Sequence, residues 1–86
     1  MAIDEKVIYG AVGSSGVTFT KPNDANRLAF EIYRRFKMFP EDTLEKTIEK
    51  SMEIALRQGI TEISDEDWNK LRNHLVASLR NKVKVA

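Results

Sequence analysis

Gly10, Gly13 and Gly16 recur at intervals of three residues, beside Ser14 and Ser15. Glycines so spaced can cradle a phosphate when they lie between a strand and a helix N-terminus, because backbone N–H groups then point at the anion. Here a second strand-like run follows them and no Gly-Lys-Ser/Thr occurs, so they read as turn glycines. The serines do not match the G-x-S-x-G pattern that exposes a nucleophile on a sharp turn. The one histidine, His74, has the chemistry of a general base. A hydrolytic triad also needs a poised nucleophile and an orienting carboxylate, and nothing in the spacing brings either to it. His74 therefore reads as a flanking or surface residue between Leu71 and Leu75. Asp65, Glu66 and Asp67 are consecutive, whereas calcium loops alternate their acidic ligands and include a glycine turn. Consecutive acids splay around a helix axis and suit its positive N-terminal end. No catalytic residue, cofactor site or metal site is expected, and the chain is read as not an enzyme.

The charged and aromatic residues offer surfaces rather than chemistry. Glu41, Glu45, Glu49 and Glu53 are each four residues from the next, which lines them up on one helix face. Like charges at that spacing repel by a few tenths of a kcal/mol per pair, at roughly 0.2–0.5. Lys46 and Lys50 offset part of this, and Asp42–Lys46 and Glu53–Arg57 are favourable pairs. The ridge is either a solvated face or a dock for a basic partner. From Trp68 onward the charges reverse, with Lys70, Arg72, Arg80, Lys82 and Lys84 and no acid. Together with Arg34, Arg35 and Lys37 these could form a nucleic-acid surface, although helix dipoles account for most of them. Phe30 falls off the main apolar stripe of its helix. An exposed Phe30–Phe39 patch would point to self-association or a protein partner.

Elements must hold these side chains. Lys6–Val12 and Gly16–Thr20 are short runs rich in β-branched and aromatic residues on either side of a Gly/Ser turn, which predicts a β-hairpin over about residues 6–20. Its edge is a further candidate contact surface. Asn23 or Asp24 is placed to cap a helix over about 24–37, which Phe39-Pro40 closes. Asp42 and Glu45 have the form of a capping box opening a helix over about 42–58, with Gly59 as its stop. Ser64 with Asp67 opens a third helix over about 65–80. The fold class expected is mainly α, α+β, with the hairpin preceding three amphipathic helices in one small domain over residues 1–86. Its core is Leu28, Ile32, Phe36, Leu44, Ile48, Met52, Leu56, Trp68, Leu71, Leu75 and Leu79, with Ile60 and Ile63 plugging the junction between the last two helices.

Length and composition narrow the rest. A chain of 86 residues hides only about 60% of the surface its unfolded form exposes, so a deep substrate pocket would compete with a thin core. Fourteen basic and thirteen acidic residues nearly cancel, so any pull on nucleic acid must be local. The absence of cysteine removes disulfides and thiolate chemistry. The N-terminus has no secretory pattern and no apolar run approaches the ~20 residues needed to cross a bilayer, so a cytoplasmic protein without a membrane partner is expected.

Pro40, a helix, then Gly59-Ile60-Thr61-Glu62-Ile63 and a further helix resemble the small helical domain at the C-terminus of the light-independent protochlorophyllide reductase B subunit, over about residues 32–76. Where that family has aromatic and basic residues after the proline, this sequence has Glu41-Asp42-Thr43, and the N-terminal hairpin is a further departure. The resemblance implies compact helical packing and an accessory role beside a larger protein; it carries over no functional residue. The expected function is a small non-enzymatic module that binds another protein or itself, the alternative being a nucleic-acid-binding regulator.

Overall fold

Ile8, Ala11 and Val12 stand at i, i+3 and i+4, and all three are buried. That spacing belongs to a helix, and the computed structural model, which describes residues 3–57 and 63–83, has one there. Helix α1 runs Glu5–Gly13, with the Asp4 side chain accepting the Lys6 N–H at 2.9 Å as its cap. The expected hairpin is therefore corrected: among the described residues there is no strand, and the fold is all-α rather than α+β. The energetics explain the outcome. Valine and isoleucine lose at most about 0.7 kcal/mol each in a helix, whereas burying one gains about 1.5–3 kcal/mol.

The Gly/Ser turn ends α1 instead of joining two strands. The Ser14 N–H reaches the Gly10 carbonyl at 3.0 Å and the Ser15 N–H reaches Val12 at 3.3 Å. Gly16 then takes φ +77°, a conformation other residues rarely adopt, and its carbonyl accepts from Lys70 Nζ at 3.5 Å. Beyond it, Val17 and Phe19 lie half-buried against the core with no strand beside them.

Helix α2 spans Pro22–Met38. Lys21, not Asn23 or Asp24, occupies its cap position, and Pro22 opens the helix where a missing N–H costs nothing. Helix α3 spans Leu44–Met52 and is capped by Thr43, whose Oγ1 accepts the Lys46 N–H at 3.1 Å. Asp42, the expected cap, instead faces Arg35 and Lys46. Two buried hydroxyls follow in α3. Thr47 Oγ1 donates to the Thr43 carbonyl at 2.9 Å and Ser51 Oγ to the Thr47 carbonyl at 2.6 Å. Such back-bonding to the preceding turn loosens a helix. Directly beyond, the chain widens into a π-helical turn, Glu53–Arg57. Helix α4 spans Asp65–Arg80 and begins as its sequence predicts, with the Asp67 N–H bonded to Ser64 Oγ at 3.1 Å.

Each helix borders two others: α1 packs on α2 and α4, and α3 on α2 and α4. The four thus close a ring around one core cluster. Every expected core residue is buried within it except Trp68, which is half-buried beneath the Arg57 guanidinium, 4.1 Å from its ring centre. Helix α1 adds Ile8, Ala11 and Val12, and Ile63 packs on the cluster's edge. Gly59 and Ile60, read as the stop of the second predicted helix and half of the junction plug, lie outside the described residues.

Candidate functional site

Three residues of the acidic ridge pair within the molecule. Glu45 receives Arg80 at 2.8 Å and Glu49 receives Arg72 at 2.7 Å, pairs that stitch α3 to α4. Position 45 meets 80 while 49 meets 72, so the two helices run antiparallel. Glu53 pairs with Lys50 at 3.6 Å rather than with Arg57, which reaches Asp65 at 3.6 Å and covers Trp68. Glu41 is exposed on the link between α2 and α3.

The basic set is largely engaged as well. Arg80 belongs to the seam. Lys37 lies over the Tyr33 ring at 4.9 Å, Arg34 faces Glu31 at 3.4 Å and Arg35 faces Asp42 at 3.4 Å. Lys82 is exposed just beyond α4, and Lys84 lies outside the described residues.

Folding does bring Ser14 and His74 together, which nothing in their spacing foretold. His74 Nε2 lies 3.1 Å from Ser14 Oγ, 3.3 Å from Ser78 Oγ and 3.0 Å from the Ala11 carbonyl. A carbonyl only accepts, so the Ala11 contact requires the proton on Nε2. In the tautomer that donates to Ala11, Nε2 does not accept from Ser14 Oγ. His74 instead satisfies a carbonyl in the last turn of α1, where α1 has no basic residue of its own. Among the described residues, no group of three or more His, Asp or Glu side chains is placed to hold a metal ion.

The exposed apolar surface lies elsewhere. Glu31, Arg34, Arg35 and Met38 on α2, Phe39 at its end and Ile54 on the π-helical turn line a groove of about 250 Å³. Met38 is 55% exposed, Phe39 44% and Ile54 37%. Ile54 reaches the surface from the widened turn, while Met52, Ala55 and Leu56 around it are buried. Phe30 is equally exposed but does not line the groove, so the expected Phe30–Phe39 pair is replaced by Met38, Phe39 and Ile54. Ile54 could have been found as an apolar residue off the stripe of α3, and Met38 as one beside an aromatic at a helix end.

Arginine sets the groove's polarity. The Arg35 guanidinium lies 4.5 Å from the centre of the Phe39 ring, and its Nε–H is buried without an acceptor. A desolvated donor left unpaired costs about 1–3 kcal/mol. Both ion pairs at the groove are long, at 3.4 Å, against the 2.7–2.9 Å of a good charged hydrogen bond. Among the described residues, no helix is long and apolar enough to cross a membrane. Comparison with protein-family profiles, with curated proteins and with solved structures finds no match for this chain.

Proposed function

We propose that this chain is a non-enzymatic interaction module that binds another protein through the groove between α2 and the π-helical turn. The observation that carries this reading is the convergence of Met38, Phe39 and Ile54, three large exposed apolar side chains, on one concave surface. Single exposed apolar residues are ordinary; several around a concavity rimmed by charge mark a contact site. Interface cores favour aromatic residues, methionine and arginine, and the groove offers Phe39, Met38, Arg34 and Arg35. The rival reading, a nucleic-acid surface, draws less support because Arg80 is held in the α3–α4 seam, Lys37 lies over the Tyr33 ring, and fourteen basic residues are nearly matched by thirteen acidic ones. An accessory role in the cytoplasm, beside a larger protein, fits a cysteine-free module of this size.

Photo-crosslinking in the cells that make the protein tests this. A benzophenone side chain replacing Ile54 should trap a second polypeptide, and the same group replacing Glu49 on the α3–α4 seam should not. Adding Met38→Asp should abolish the crosslink at 54. Trapping from position 49, or none from 54, would overturn the assignment; a product of twice the chain's own mass would make the partner a second copy.

A further inference from the structure

Resting on the groove as the binding site, we propose that its occupant is a short segment of another protein in which two large apolar side chains lie close to an aspartate or glutamate. Volume limits the occupant first. A groove of about 250 Å³ is smaller than the roughly 300–1,000 Å³ of sites that enclose a cofactor or drug-sized molecule, and suits one or two side chains. Met38 and Ile54 receive the apolar groups. The Phe39 ring beside them already carries the Arg35 guanidinium, 4.5 Å from its centre.

Charge limits it next. Two guanidiniums and one carboxylate line the groove, and Arg34 is the accessible charge: its side chain is 50% exposed, against 18% for Glu31 and 17% for Arg35. An arriving segment meets positive charge. The 3.4 Å separations leave both arginines open to a closer acceptor, and a carboxylate can take a guanidinium by two parallel hydrogen bonds. Arg35 is already held against the Phe39 ring, so little side-chain freedom is lost when it engages. A basic segment would face two like charges and be turned away.

A phage-displayed library of random dodecapeptides, selected against the full chain, supplies the probe. Each winning peptide is then made with a fluorescein label and titrated by polarisation. The winners should carry Asp or Glu within one helical turn of two large apolar residues. Changing that acid to its amide should weaken binding at least about tenfold, as should Arg34→Glu in the protein, while Ile54→Asp abolishes binding. Both protein variants are at exposed positions and should keep the parent melting temperature. Winners that lack an acid, with Arg34→Glu altering affinity by less than about twofold while Ile54→Asp still abolishes it, would overturn the occupant and leave the groove. Winners indifferent to Ile54→Asp and Met38→Asp, or no winners at all, would overturn both. A dimer in sedimentation that Ile54→Asp dissociates would assign the groove to a second copy and overturn the proposed segment.

Discussion

The α3–α4 seam and the groove between α2 and the π-helical turn are built from the same kinds of residue and leave them in different states. On the seam, Glu45 and Glu49 meet Arg80 and Arg72 at 2.8 and 2.7 Å. In the groove, Arg34 and Arg35 stand 3.4 Å from their acids, and Arg35 Nε has no acceptor. Beneath the seam Ile48 is fully buried; beside the groove Ile54, six residues on, is exposed. The richer display of charge is thus the less available one. Matched charges consume each other's hydrogen-bonding capacity, while a poorer surface with loose ion pairs and bare apolar side chains retains something to offer a partner.

The largest expected difference is between the two isoleucines. Ile48→Ala should cost about 2–5 kcal/mol of stability in urea unfolding, and Ile54→Ala no more than about 0.5. Similar losses at both positions would mean that Ile54 is core and that the groove is closed in solution. Helix α1 provides the next test. Gly10 lies within α1, and a methyl group added there would meet no atom within 4 Å. Gly10→Ala should therefore stabilise by about 0.5–1 kcal/mol, seen as a raised melting temperature, without altering binding at the groove. Destabilisation there would favour a non-helical N-terminal segment.

Smaller effects are expected from the seam itself. Double-mutant cycles on Glu49–Arg72 and Glu45–Arg80 should give coupling of about 0.2–1 kcal/mol, shrinking as salt rises, because both pairs are partly exposed. The same cycle on Glu31–Arg34 should give less than the seam pairs. The smallest effect is Arg34→Gln, within about 0.5 kcal/mol in stability, its consequence being confined to binding. Coupling at Glu31–Arg34 equal to the seam's would erase the contrast between the regions.

Much of α2, α3 and α4 was legible before folding. Leu28, Ile32 and Phe36, then Leu44, Ile48 and Met52, then Leu71, Leu75 and Leu79 repeat at helical spacing, and all are buried. Helix α1 was not legible, because its run is short and its β-branched residues and glycines suit a hairpin equally well. Of the groove, the sequence marks Phe39 as a candidate contact, whereas Arg34 and Arg35 fall in its candidate nucleic-acid surface. Ile54 falls off the apolar stripe of its helix, so its exposure follows from spacing, but its meeting with Met38 and Phe39 depends on how α2 packs against the π-helical turn.

What the chain determines by itself is local. Ser64 before Asp67, Pro22 at a helix start and three apolar stripes act through neighbours within a turn or two, so their outcome follows from spacing. Tertiary structure decided the rest: that α1 is a helix, that Glu45 and Glu49 of the acidic ridge pair with α4, that His74 meets the last turn of α1, and that Met38, Phe39 and Ile54 share a groove. Each of these depends on contacts between residues distant in the chain. Burial worth about 1.5–3 kcal/mol per side chain outweighs local preferences of less than about 1 kcal/mol, and only the folded arrangement reveals which side chains it will bury.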